Sequence, residues 1–378
     1  MDAVWERIRG NRYDLRAWRQ VLQHASQQAI QEARPLYEEV LRAFPTAWWV
    51  WRLYAEAELA HARADSSTVE AIFSRCLLRC RFVSLWRVYI RYVFNAFAEG
   101  SSSGVRARLE ALEFALNHVG LDPSSGELWL QYVSLLRRVD PSFLPDSTDP
   151  SGAESARMVK VRRAFHQALS IPQSHIDFLW HEYERFEHSI SAKLAKPMLE
   201  ELRPKMQAAR SVLEERQRLF DRLPDAALAG PPSEMRNSEE VSKAWRNYLT
   251  LERRNTQRVG EEALVKRVCL AYDQCLCCLT MARALTFHVP PSPNQTALRL
   301  CPSCSSAHIP LFSHALNKPC LPLTRSLWPS CVASAVPRNV VRVHHLVRGE
   351  SAAAGRLQCV RARSRSSSGV PLLAIAAC

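Results

Sequence analysis

Glycine is scarce in this chain, with eleven among 378 residues. No Gly-rich loop that could cradle a phosphate is present, and neither an HExxH helix nor a nucleophile elbow occurs. Acid is nearly missing from one end. Residues 280–378 hold one acidic residue, Glu350, against eleven Arg and Lys. Most of the formal charge of +13 therefore belongs to that stretch, and residues 1–279, with 39 basic and 36 acidic side chains, carry only +3. The basic pI thus says little about the patterned part, and it gives that part no electrostatic argument for nucleic acid. No apolar run approaches the length of about 20 residues that a membrane helix needs, and no cleavable signal opens the sequence. Neither a secreted nor a membrane-spanning protein is expected.

Aromatics are plentiful by contrast, with ten tryptophans. Residues 32–59 show how they are used. Ala33, Tyr37, Val40, Leu41 and Phe44 recur at helical spacing, and Pro45 ends that helix. Trp51, Tyr54, Ala55 and Glu58 then form a second stripe on one helical face. Such a pair cannot bury its own aromatic face and needs a neighbouring copy. The copies exist: Trp-x-x-Tyr recurs as Trp51/Tyr54, Trp86/Tyr89, Trp129/Tyr132, Trp180/Tyr183 and Trp245/Tyr248, and Trp18 opens a weaker first one. The first two gaps, Trp18 to Trp51 and Trp51 to Trp86, match one helix–turn–helix unit of about 34 residues. The later gaps, from Trp86 to Trp129, Trp180 and Trp245 in turn, grow steadily longer and contain Pro/Ser/Gly-rich insertions. A second-helix pattern follows each tryptophan, as Ala33-Arg34-x-x-Tyr37-Glu38, Ile72-Phe73-Ser74-Arg75 and Tyr272-Asp273-Gln274-Cys275-Leu276 illustrate. Alanine lets two backbones approach while the large rings fill the space between units.

In chain order, Asp14 is the expected N-cap of the first tryptophan helix. Gly100 to Gly104 reads as a flexible break inside the third unit. Asp140 to Ser155 has no apolar periodicity and reads as a surface loop. Pro197 and Pro204 are expected to divide the helical region 192–223. The expected layout is an N-terminal array over 1–222, a linker over 223–238, and the start of a second, truncated array over 239–279. Residues 280–378, rich in Pro, Ser, Arg and Cys, are expected to be a disordered tail.

Three features could carry chemistry. A row of tryptophans could be a set of stacking platforms for bases. The i, i+3 spacing with Ala and Leu favours core between units instead, which assigns Trp18, Trp51, Tyr54, Trp86, Tyr89, Trp129, Tyr132, Trp180, Tyr183, Trp245 and Tyr248 to the repeat core. Glu58, Glu187 and Glu252 each lie seven residues after a tryptophan and share its face. Acids spread over three units cannot converge on one substrate, so hydrogen-bonded or arginine-paired structural acids are expected. Among twelve cysteines, Cys76, Cys80, Cys269 and Cys275 fall in helical patterns as small apolar residues. Cys277 and Cys278 point to different faces. Cys301-x-x-Cys304 with His308, His314, Cys320 and Cys331 lacks the second ligand pair that a zinc site needs. No catalytic, metal or cofactor residue is assigned. Arg361 to Ser368 resembles a short Arg/Ser tract.

Trp-x-x-Tyr-x-x-x-Glu in one helix and Ala-Arg-x-x-Tyr-Glu with a following proline in the next resemble the half-a-TPR (HAT) repeat. The order and wording of the motifs are similar to the suppressor-of-forked family. The matching stretches are Tyr13-Asp14-Leu15-x-Ala17-Trp18, Trp51-x-Leu53-Tyr54-x-Glu56-Ala57-Glu58, Leu179-Trp180-x-x-Tyr183-x-x-Phe186-Glu187 and Ala271-Tyr272-x-Gln274-Cys275-Leu276. The resemblance covers about residues 11–279. It implies an all-α HAT superhelix in two arcs and a non-catalytic nuclear scaffold in pre-mRNA 3′-end cleavage and polyadenylation. Its partners would be other cleavage-factor subunits, with mRNA touched weakly or indirectly, and the family forms homodimers through the second array. The alternatives are a HAT protein of the spliceosome or of ribosome biogenesis, and a direct RNA-binding protein.

Overall fold

Helix ends in this chain follow its capping chemistry. Asp14 accepts from the backbone N–H groups of Arg16 and Ala17 and starts a helix. The Ser101 hydroxyl accepts from Gly104 N–H and starts another. Pro45 follows Phe44, the C-cap of the helix before it. The computed structural model describes residues 1–279 except 62–65, 99, 145–149, 225–227 and 230–237. Among these residues there are thirteen α-helices, one 3-10 turn and no strand.

A lead-in helix, α1 (Asp2–Gly10), is followed by six helical pairs. The first three are α2 (Leu15–Ala25) with α3 (Ile30–Ala43), α4 (Trp48–Ala60) with α5 (Ser66–Cys76), and α6 (Val83–Ala96) with α7 (Ser102–Val119). The next are α8 (Gly126–Arg138) with α9 (Pro150–Leu169) and α10 (Ile176–Ile190) with α11 (Ala192–Phe220). The last is α12 (Ser238–Arg254) with α13 (Glu261–Cys278). Successive helices pack on one another except at α5, where α6 packs chiefly on α4, and α9 likewise meets α11. Nearest-neighbour packing of this kind makes a repeat stack whose core is continuous through the first five pairs, while Trp245, Tyr248, Ala271 and Cys275 of the last pair form a cluster of their own. No helix among the described residues is long and apolar enough to cross a membrane.

Four local expectations are corrected. Pro197 and Pro204 sit inside one 29-residue helix, α11, and do not divide it. Both are exposed and seven residues apart, so the intrahelical bonds they forgo lie on the solvent side. The stripe Ala195, Leu199, Leu202, Met206 and Ala209 stays buried on the opposite face. The loop expected to reach Ser155 ends earlier, because α9 begins at Pro150, and Pro141–Phe143 forms a 3-10 turn held by Asp140. The Ser-rich break joins α6 to α7, and Ser102 to Gly104 belong to α7. Cys80 lies in the turn after α5, not in a helix. The tail, with its Cys/His set and Arg361 to Ser368, lies outside the described residues, as does most of the expected linker. Leu228 is described and is buried against the main core.

Candidate functional site

The repeat tryptophans are placed by where they fall in their helices. In α2, α4, α6 and α8 the tryptophan is the fourth residue. Its ring can therefore turn back to the preceding turn. Trp18 Nε1 donates to the Arg12 carbonyl at 2.7 Å, Trp51 Nε1 to Pro45 at 2.9 Å and Trp86 Nε1 to Cys80 at 3.2 Å, each six residues earlier. Trp129 Nε1 reaches the Gly120 carbonyl at 3.0 Å. Trp245 is the eighth residue of α12, so the residue six earlier, Glu239, is itself helical. The Trp245 indole N–H is buried with no acceptor among the described residues. Of the eleven residues assigned to the repeat core, ten are buried and Tyr89 is half-buried. Rings meet across helices in stacked and edge-on pairs, as Tyr37 does with Tyr54 and Phe73 with Tyr89.

The three acids on the tryptophan faces are each gripped by arginine. Arg34 of α3 holds Glu58 of the following helix through both oxygens, at 2.6 and 2.9 Å. Arg162 of α9 holds Glu187 of α10 in the same way, at 2.6 and 2.8 Å. Arg216 of α11 reaches Glu252 of α12 at 2.6 Å, and Arg267 of α13 lies 2.7 Å from its other oxygen. The second helix of one pair thus clamps the first helix of the next. In the third and fourth pairs the position seven after the tryptophan is Val93 or Leu136, both buried, and apolar contact replaces the clamp.

The Glu252 clamp belongs to a larger polar centre. Arg216 also donates to the Pro172 carbonyl at 2.8 Å and to the Leu121 carbonyl at 2.7 Å, in the turns before α10 and α8. Gln257 Nε2 donates to the Ser170 carbonyl at 2.7 Å, and its side-chain oxygen accepts from Arg267 at 3.0 Å. Gln274 on α13 donates to Asp122 Oδ2 at 2.6 Å and to the Arg81 carbonyl at 2.9 Å. Further along, Arg81 pairs with Asp273 at 2.8 Å, Cys277 Sγ donates to the Arg79 carbonyl at 3.2 Å, and Thr46 Oγ1 donates to the Cys277 carbonyl at 3.1 Å. The last pair therefore reads four successive turns of the stack, those before α4, α6, α8 and α10. Burial alone would raise Glu252, but the Arg216 and Arg267 guanidiniums, with hydrogen bonds from Arg216 and Tyr248, hold its carboxyl below the usual range. Burial pushes Asp122 up, against bonds from Ser124 and Gln274.

This centre is built for holding rather than reacting. Every acid in it faces an arginine or an amide, and nothing in it is a nucleophile beside a base. Among the described residues no group of three His, Cys, Asp or Glu could hold a metal ion. Gly100-Ser-Ser-Ser-Gly104 has the letters of a nucleophile elbow, but a helix stands before it and Ser101 is a cap. A groove of about 540 Å³ at α1, lined by Trp5, Ile8, Arg9, Arg12, Trp18, Glu39, Arg42 and Ala43, holds no acid–base set.

The model of the suppressor of forked protein family matches residues 1–288. The chain belongs to the suppressor of forked family. Cleavage stimulation factor subunit 77 of Arabidopsis thaliana is 34% identical over 250 residues, 66% of this chain and 33% of that protein. Protein suppressor of forked of Drosophila melanogaster is 31% identical over 269 residues, 71% of this chain and 34% of the relative. The chain thus spans about a third of the length of these relatives. The crystal structure of CSTF-77 aligns at 21% identity with a TM-score of 0.45, covering 59% of this chain and 43% of the other.

In this suppressor of forked chain the acids Glu58, Glu187 and Glu252 were expected to be hydrogen-bonded or arginine-paired, and arginine is the partner of all three. Their partners were not named, because Arg34, Arg162 and Arg216 lie 24, 25 and 36 residues earlier. The regular Ala33-Arg34 wording of the second helix was the available signal for the first. For Asp122, Gln257 and Gln274 the sequence offered none. Their partners are backbone carbonyls and a carboxylate up to 193 residues away.

Proposed function

We propose that this chain is a non-catalytic scaffold of pre-mRNA 3′-end cleavage and polyadenylation, acting in the nucleus and binding other subunits of the processing machinery. Membership of the family over residues 1–288, with relatives named for cleavage stimulation and 3′-end processing, carries the reading. The tryptophan and tyrosine rows are cores between stacked units, and their role is to keep the outer faces in fixed register for partners. The first array spans 1–222 and a second begins at 239, with Arg216 and α13 holding them together. RNA contact is weak or indirect, since residues 1–279 carry a formal charge of only +3.

The test is affinity capture from nuclear extract with the full chain, read by mass spectrometry. Cleavage and polyadenylation subunits are the expected prey, and a prey set of splicing or ribosome-assembly factors would overturn the assignment. An oligonucleotide affinity that falls steeply with salt would replace the indirect RNA role with a direct one.

A further inference from the structure

Where α13 meets the turn before α6, two thiols are brought together from distant parts of the chain. Cys277 Sγ sits 3.2 Å from the Arg79 carbonyl, the peptide unit that leads into Cys80. Cys80 Sγ donates to the Thr46 carbonyl at 3.7 Å, and Thr46 in turn bonds the Cys277 carbonyl at 3.1 Å. Through Thr46 and the Arg79–Cys80 peptide the two cysteines share one small junction. Both residues are buried free cysteines. Neighbouring cysteines are differently engaged. Cys76 Sγ is turned to the Phe73 carbonyl of its own helix, and Cys275 and Cys278 belong to the Trp245–Tyr248 cluster.

We infer that Cys80 and Cys277 form a thiol–disulfide exchange site that takes a low-molecular-weight disulfide and yields a bridge between α13 and the turn before α6. The chemistry balances without any other reactant. One thiol loses its proton and its sulfur attacks the small disulfide, releasing the first small thiol and leaving a mixed disulfide. The second thiol loses its proton and displaces the second small thiol, so the two cysteines are oxidised as one disulfide is reduced to two thiols. The two cysteines meet at one junction, and both lie at element ends, α13's last turn and a loop, where the small backbone shifts that a bridge requires are permitted. Interaction with the Cys277 thiol, together with burial, holds the Cys80 thiol up, so exchange proceeds from a state in which the end of α13 has loosened. The consequence is specific to this junction. The helix that reads three turns of the stack passes from reversible docking to a covalent attachment.

The probe is glutathione disulfide, added to the full chain at mildly alkaline pH, followed by alkylation, tryptic digestion and mass spectrometry. The expected product is a cross-linked peptide joining Cys80 to Cys277. It should be absent from Cys80→Ser and from Cys277→Ser and retained in Cys76→Ser. Cleavage by trypsin between α12 and α13, timed under native conditions, should leave the oxidised protein associated after denaturation and release the end of the reduced one. Thermal melts of the serine variants within a few degrees of the parent show that they fold. Three results would each overturn the site: no cross-link in folded parent protein, a stable glutathione adduct on Cys277 that Cys80 does not resolve, or Cys80 and Cys277 bridged only to other cysteines.

Discussion

At the scale of single residues, burial decides how much each polar contact matters. Glu58 is fully buried, but its partner Arg34 has 38% of its side chain exposed and can return to water. Glu252 has no such outlet, because Arg216 and Arg267 are 4% and 7% exposed. Glu252→Gln should therefore cost about 3–5 kcal/mol, the range for stranding a buried charge. Glu58→Gln should cost about 1.5–3 kcal/mol, the worth of a charged hydrogen bond. Urea unfolding of both variants checks the order, and equal losses would deny the difference in burial its weight. Trp180→Ala removes a buried ring covered by Arg203 and should cost about 3–5 kcal/mol in the same measurement. His118 is pressed against Trp86 and Phe114, and burial, helped by the charge of Arg81, pulls it down to about 4. Its folded value lies below the unfolded one near 6.5, so the folded state binds fewer protons between the two and loses stability as pH falls through that window. Melts between pH 7 and pH 4 should fall less steeply for His118→Gln than for the parent.

Elements show how much of the fold was legible and where legibility stopped. The tryptophan stripes and the N-cap at Asp14 placed every pair in order, because helical periodicity and capping are local physics. The prolines of α11 misled for the same reason. A proline rule counts the bonds lost and the ring clash within one helix, but not the burial gained along its other face. Leu199, Leu202 and Met206, packed against neighbouring helices, outweigh two missing solvent-side bonds. Pro35 in α3 repeats the pattern, standing inside a helix whose buried residues include Ala33, Tyr37, Val40 and Leu41. Pro204→Ala should accordingly raise stability, by about 1–3 kcal/mol, since it restores a bond and removes a steric conflict at no cost to the core. A higher urea midpoint with an unchanged slope is the expected observation. The tryptophan row was legible as core, but the indole ties to preceding carbonyls were not. They depend on the ring standing fourth in its helix, and a boundary read from sequence is not that sharp.

For the described molecule as a whole, the decisive contacts are those that periodicity cannot see. Stacked pairs touch mainly their neighbours, whereas α13 touches turns from Thr46 to Asp122. Gln274 is the most exacting of these contacts, with Asp122 and a backbone carbonyl on one amide. Gln274→Leu should strand a buried carboxyl and loosen α13 without unfolding the stack. Hydrogen exchange should show α13 amides speeding up about tenfold while α6 and α8 hold their rates, and uniform acceleration would mean global destabilisation instead.

The distance between Thr46 and Cys277, 231 residues along the chain, also has a consequence during translation. At about 5–20 residues per second, the turn at Thr46 leaves the ribosome on the order of 10–50 s before its partner is made. The early pairs can stack as they emerge, since their contacts are local. The carbonyls of Arg79, Arg81, Leu121 and Pro172 meet their donor side chains only afterwards. The nascent protein therefore carries an open polar seam, available to chaperones, which Arg216 and then α13 close.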